Sequence, residues 1–178
     1  MSSVNMNFKW AECVSNIIAD MGIQRICICP GSRNTPLTLA FTKNLKFDCS
    51  SHIDERSASF FAMGISKKSN IPSVVISTSG TAVANFFPAV IESSLSKTPL
   101  IVITADRPPY LTNTGENQTI KQTDIFHNYV RKSVSISARE AKRLGVIDLV
   151  AANLDSLILA LDKREVKMGE DTVILNTT

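Results

Sequence analysis

Short apolar runs alternate along this chain with stretches whose apolar positions recur every three or four residues, the patterns of strands and helices respectively. Trp10, Val14, Ile17, Ile18 and Met21 stand at helical spacing, and Gly22 follows where a helix commonly ends. Residues 25–29, Arg-Ile-Cys-Ile-Cys, are apolar on both faces, as expected of a strand in a parallel sheet covered on both sides. Pro30-Gly31-Ser32 breaks that strand, and residues 35–43 suit a short helix. Residues 46–53 make a weaker strand, after which Ala58, Phe61, Ala62 and Ile65 mark one face of a helix beginning near Glu55. Strong strand patterns follow at 73–78 and 99–104, separated by a helix carrying Ala82, Val83, Phe86, Phe87, Val90 and Ile91. Residues 105–130 are polar with little periodicity, and loops of that length in compact domains are usually functional or disordered. Beyond them, 132–137 alternate Val134 and Ile136 with serines, as in a strand with one wetter face. Val150, Leu154, Leu157, Ile158 and Leu161 form an amphipathic helix, and 172–175 a last strand.

This alternation predicts an α/β fold: a three-layer α/β/α arrangement around a mostly parallel sheet of about six strands, in a single domain over residues 1–178. Ligands on such sheets bind beyond the carboxyl ends of the strands, so chemistry is expected in the strand-to-helix loops. Composition narrows the classes. Hydrophobic content of 44% and charged content of 20% are ordinary for a globular chain of 178 residues. The formal charge of +3 is scattered and gives no reason to expect nucleic acid as a partner. Cys13, Cys27, Cys29 and Cys49 form no C-x-x-C pattern, only His52 and His127 could assist them, and no metal site is expected. Cys27 and Cys29 share one strand face and read as buried, reduced core thiols. No apolar run approaches the ~20 residues of a membrane span, and the first residues lack a leader pattern, so the chain reads as cytoplasmic.

Three loops stand at strand-to-helix junctions: Pro30-Gly31-Ser32-Arg33, Asp54-Glu55-Arg56 and Thr78-Ser79-Gly80-Thr81. Backbone N–H groups at a helix start attract anions, and Ser or Thr there either caps or binds. Taken singly, the glycine loops read as turns and capped helix starts, and Glu55 as a first-turn carboxylate favoured by the helix dipole. In Thr104-Ala105-Asp106-Arg107-Pro108-Pro109 the two prolines stiffen the backbone beside Arg107. A guanidinium so placed suits a carboxylate ligand; otherwise it caps the carbonyls of the preceding strand. His52 falls in a strand and His127 in the long loop without a nearby ligand partner, so neither supports a Ser–His–Asp scheme.

Taken together and in order, these motifs carry a resemblance. With Thr78-Ser79-Gly80-Thr81-Ala82-Val83-Ala84-Asn85, Pro88-Ala89-Val90-Ile91-Glu92 and Gly115-Glu116-Asn117-Gln118, they resemble the N-terminal domain of the 2-succinyl-5-enolpyruvyl-6-hydroxy-3-cyclohexene-1-carboxylate synthases. Those enzymes depend on thiamine diphosphate and serve menaquinone biosynthesis. The similarity runs from about residue 10 to at least residue 130.

The resemblance implies a pyrimidine-binding domain in which Glu55 hydrogen-bonds N1′ of the cofactor's aminopyrimidine. A carboxyl group there promotes the tautomer that deprotonates the thiazolium, and burial tunes its pKa toward the working range. Thr78, Ser79 and Gly80 are implied to line the cofactor pocket. Ser32, Arg33, Arg107, Asn117 and Gln118 are implied to bind substrate. The family substrates, 2-oxoglutarate and isochorismate, are both dicarboxylates, which suits arginines and amides. The implied reaction decarboxylates 2-oxoglutarate and adds the succinyl-semialdehyde unit to isochorismate, a transferase activity.

These enzymes hold the diphosphate and its Mg2+ through a Gly-Asp-Gly element on a separate domain, and this sequence contains none. The expectation is that the diphosphate-binding domain is absent from this chain, that a partner subunit of a homo-oligomer supplies it, and that the isolated chain is inactive. Two other readings stay open: a pyrimidine-binding subunit of another thiamine-diphosphate 2-oxo acid decarboxylase, and a non-catalytic α/β module.

Overall fold

The computed structural model describes residues 6–107, 111 and 114–130, and the backbone of 165–168 and 171–174. Contacts divide the chain into two units, Met1–Ser133 and Val134–Thr178. The described elements of the first unit run α1 (Met6–Asp20), β1 (Arg25–Ile28), α2 (Thr35–Lys43), β2 (Asp48–Ser51), α3 (Glu55–Ser69), β3 (Ser73–Ser77), α4 (Thr81–Asn85), α5 (Phe87–Leu95) and β4 (Leu100–Thr104). In the second unit β5 (Glu165–Met168) pairs antiparallel with β6 (Asp171–Ile174).

The strands of the first unit form a four-stranded sheet in the order β2-β1-β3-β4. Every pairing in it is parallel: Ile26 stands opposite Cys49 and Val74, and Val75 opposite Val102. Val74, Val75 and Ile76 of the central β3 are each 0% exposed, the condition of a strand covered on both faces. The alternation of side chains then separates two cores. Ile26, Ile28, Val74 and Ile76 pack with Ala11 and Ile18 of α1 and with Leu37 and Phe41 of α2. Cys27, Cys29 and Val75 face the other way, onto Ala58 and Ala62 of α3, onto Phe86 between α4 and α5, and onto Val90 of α5. Helix, sheet and helix thus form the expected three layers, with Cys27 and Cys29 on one face and buried.

The structure amends several details of the sequence pattern. The last strand, at 171–174, joins a two-stranded antiparallel sheet with 165–168, whereas the parallel sheet among the described residues has four strands. The strand expected at 132–137 and the helix around 150–161 lie outside the described residues. On α1, Ala11, Ser15 and Ile18 are buried while Trp10, Ile17 and Met21 are 50%, 55% and 62% exposed. On α3, Ala58 and Ala62 are buried as expected, but Phe61 is exposed and Ser59 is buried in its place. Small side chains let these helices lie close to the sheet, and bulk alone pointed to the neighbouring stripe. The single helix expected after residue 81 is two, because Phe86 turns the chain and Pro88 restarts it in the first turn of α5.

The chain from 114 to 130 is held by its aromatic residues. Phe126 and Tyr129 pack on the second core, their rings 6.0 and 5.6 Å from that of Phe87. This anchoring returns the polar segment to the carboxyl edge of the sheet.

Candidate functional site

All four parallel strands deliver their carboxyl ends to one edge, and the loops line up there in sheet order. Residues 52–54 leave β2, 29–34 leave β1, 78–80 leave β3 and 105–107 leave β4. A cleft of about 330 Å³ opens across the last three, lined by Pro30 to Arg33, by Thr78 and Ser79, and by Arg107, Asn117 and Gln118. Ser32, Arg33, Arg107, Asn117 and Gln118, the residues expected at substrate, therefore surround one space. Thr78 and Ser79, expected at the cofactor, line the same space.

Local folding explains why the loops come so close. Asn34 is 0% exposed and spends its amide on the β1 loop, accepting from Gly31 N at 2.7 Å and donating to the Cys29 carbonyl at 3.0 Å. A Cβ at Gly31 would lie 2.6 Å from that of Thr78, so only glycine lets the β1 and β3 loops touch. Gly80 has φ of 85°, and a Cβ there would collide with the Gln118 carbonyl. That carbonyl instead accepts from Thr81 N at 3.0 Å, while Gln118 Nε2 donates to the Ser79 carbonyl at 2.7 Å. Gln122 completes the seam, accepting from Gly80 N at 2.6 Å and donating to the Ala105 carbonyl at 2.9 Å. Neither α2 nor α4 is capped by a side-chain hydroxyl, which removes the simplest alternative for Ser32, Thr78 and Ser79.

Two guanidiniums meet on one carboxylate. Arg33 Nη2 lies 3.3 Å from Glu116 Oε2, and Arg107 Nη1 donates to that same oxygen. Arg107 Nη2 also donates to the Asn117 carbonyl at 2.5 Å. Arg107 is directed at the 114–118 segment and not at the carbonyls of the preceding strand. Its side chain is only 8% exposed, against 31% for Arg33 and 41% for Glu116.

Glu55 lies outside the cleft lining, as the first residue of α3. Asp54 caps that helix, accepting from Ser57 N at 2.7 Å, and these hydrogen bonds lower the Asp54 pKa below its usual value. The half-buried Glu55 accepts from Asn85 Nδ2 at 3.3 Å through Oε2. Its charge is felt at the end of β1: Cys29 has its pKa pushed up to about 12, first by burial and then by Glu55 and Asp54. Burial also raises Cys27 and Cys49. A thiol so shifted is protonated at neutral pH and a poor nucleophile. His52 bonds Ser50 Oγ at 2.9 Å and leans on the Phe61 ring, a local packing arrangement, while His127 is exposed.

Sequence reasoning passed over Asn34, Asn85, Glu116 and Gln122. Glu116 and Asn85 were visible inside their motifs, but nothing in spacing marks an amide or carboxylate that closes a loop. Among the described residues, no cluster of three His, Cys, Asp or Glu side chains is placed to hold a metal ion. No described helix is long and apolar enough to cross a membrane.

This edge, with a carboxylate at one helix start and an arginine cleft beside it, occurs in a chain that belongs to the thiamine pyrophosphate enzymes: residues 8–125 match their N-terminal TPP binding domain. Within that class the chain is similar to 2-succinyl-5-enolpyruvyl-6-hydroxy-3-cyclohexene-1-carboxylate synthases. It is 46% identical to that of Halobacterium salinarum over 131 residues, 74% of this chain and 22% of the relative. It is 43% identical to that of Haloquadratum walsbyi over 164 residues, covering 91% and 26%, and 47% identical to that of Crocosphaera subtropica over 133 residues, covering 75% and 23%. The chain thus spans about a quarter of the length of the curated relatives it matches.

Proposed function

We propose that this chain is the aminopyrimidine-binding portion of a thiamine-diphosphate-dependent 2-succinyl-5-enolpyruvyl-6-hydroxy-3-cyclohexene-1-carboxylate synthase, acting in the cytoplasm in menaquinone biosynthesis. The observation that supports this most is the placement of Glu55 and the Arg33–Arg107 cleft on neighbouring loops of one sheet edge.

The residues present fit the cofactor's pyrimidine end. Glu55 is a half-buried carboxylate whose one described partner is an amide on Oε2, so Oε1 is available to a ring nitrogen. Gly31 and Gly80 let the loops beside Glu55 close on Thr78 and on the Gln118 carbonyl, which fixes the wall of the pocket. Glu55 would hold a proton at N1′, with Thr78, Ser79 and Gly80 as the backbone wall of the pocket. When bound, thiamine diphosphate supplies the nucleophile and electron sink for 2-oxo acid decarboxylation. Arg33 and Arg107 would pair with substrate carboxylates, since guanidinium forks bind them strongly, while Asn117, Gln118 and Ser32 orient the rest of the substrate.

Mg2+ and the diphosphate would be held by a diphosphate-binding domain of a partner subunit in a homo-oligomer. The chain alone would then bind cofactor poorly and show no turnover. The substrates are 2-oxoglutarate and isochorismate, and the overall reaction is a carboligating transfer. The test supplies the remainder of the Halobacterium salinarum synthase as a separate polypeptide and assays the mixture with both substrates. Consumption of isochorismate that requires 2-oxoglutarate supports the proposal. Carbon dioxide release without isochorismate consumption would point to a different thiamine-diphosphate decarboxylase.

A further inference from the structure

We propose that Glu116 is an internal stand-in for a substrate carboxylate, holding Arg33 and Arg107 together and yielding them to the ligand. This deepens the proposed function and rests on it. Arg107 is 8% exposed, and a guanidinium that buried is costly without a counter-charge. Its Nε is buried without a hydrogen-bond partner, so the guanidinium of this cleft-lining residue is not fully satisfied. Glu116 meets the need from a weak position. It sits outside any helix or strand, its side chain is 41% exposed, and both arginines reach it through the single oxygen Oε2. The Asn117 carbonyl, 2.5 Å from Arg107 Nη2, keeps Arg107 in place independently of the Glu116 side chain. Release of Glu116 therefore frees two guanidiniums without unfixing Arg107. Two cations against one carboxylate leave the cluster one net positive charge, which attracts an anionic ligand.

A stand-in competes with ligand, whereas a structural clamp assists it, and the two differ in sign. The full chain, its Glu116→Gln variant and its Glu116→Asp variant are titrated with 2-oxoglutarate, with succinate and with acetate. Binding is followed by amide NMR shifts at Ser79, Asn117 and Gln118. Glu116→Gln is expected to bind the two dicarboxylates about three- to five-fold more tightly, the change expected when a part-exposed ion pair no longer competes. Glu116→Asp, which keeps the competing charge, should return to within about two-fold of the parent. Equal or weaker binding by Glu116→Gln, with amide shifts away from the cleft unaltered, overturns the stand-in while leaving the cleft reading intact. If Glu116→Gln does not fold, Glu116→Asp binding weaker than the parent by more than about five-fold overturns it instead, since a clamp would lose reach. Absence of saturable shifts in parent and variants alike removes the carboxylate-cleft reading, and the stand-in with it.

Discussion

At the Arg33–Arg107 end of the candidate site, positive groups meet a carboxylate from the same chain, and Gln118 and Gln122 tie three loops together. At the Glu55 end, on the helix start that follows the edge strand β2 of the described sheet, the carboxylate has an exposed Asn85 amide at 3.3 Å and little else among the described residues. The first end is largely satisfied from within, Arg107 Nε apart; the second presents an acid whose counterpart is not among its described neighbours. That difference accords with a site in which this chain holds one part of the ligands and leaves the other part to a partner.

The largest separation of the two ends should come from Glu55→Gln. In the mixture with the remainder of a homologous synthase, it is expected to lower kcat by about 10²- to 10⁴-fold, the usual contribution of a positioned acid or base. Its effect on dicarboxylate binding in the cleft should be negligible. Arg107→Ala should do the reverse, weakening dicarboxylate binding about 10- to 100-fold, as expected on losing a charge-assisted pair, with cofactor binding retained. Titration calorimetry with each ligand measures both; parallel losses in both variants would erase the distinction.

Gly80→Ala is a smaller and more local lesion. Positive φ and the approach of the Gln118 carbonyl predict a loss of stability of about 1–3 kcal/mol by urea unfolding, with the 114–122 segment loosened. Smallest of all is a titration shift. Because Glu55 contributes to the raised Cys29 pKa, Glu55→Gln should lower it, whereas Gly80→Ala should not. The sign of the linked stability follows directly. The Cys29 pKa is raised on folding from 9.0 to about 12, so its contribution is fully present below pH 9 and is lost as pH rises through that interval. Alkaline unfolding followed together with thiolate absorbance checks both statements.

Much of this was legible from residue patterns. The apolar run at 74–76 is what a strand buried on both faces must look like, and the cysteine spacing in β1 placed both thiols on one side, whereas the equally apolar Leu100–Thr104 is only half-buried along its whole length. Helix faces were read less well, because Ala11 and Ser59 are buried through being small, while bulky Trp10 and Phe61 stand outside. The loops that line the cleft were found at strand ends, where parallel sheets bind ligands. What joined them was not legible. Glu116 reaches Arg33 across a sequence separation of 83 residues, and Asn85 reaches Glu55 across 30. Contacts that distant are set by the order β2-β1-β3-β4, which no local period encodes.

The central claim is that Glu55 belongs to an active site completed by another domain. Thiamine diphosphate titrated into the 178-residue chain alone, into the chain with the remainder of a homologous synthase, and into the same mixture carrying Glu55→Gln tests it directly. Saturable binding that needs the second polypeptide and is weakened by Glu55→Gln is the predicted result. Equally tight binding by the chain alone, or binding indifferent to Glu55→Gln, would contradict it.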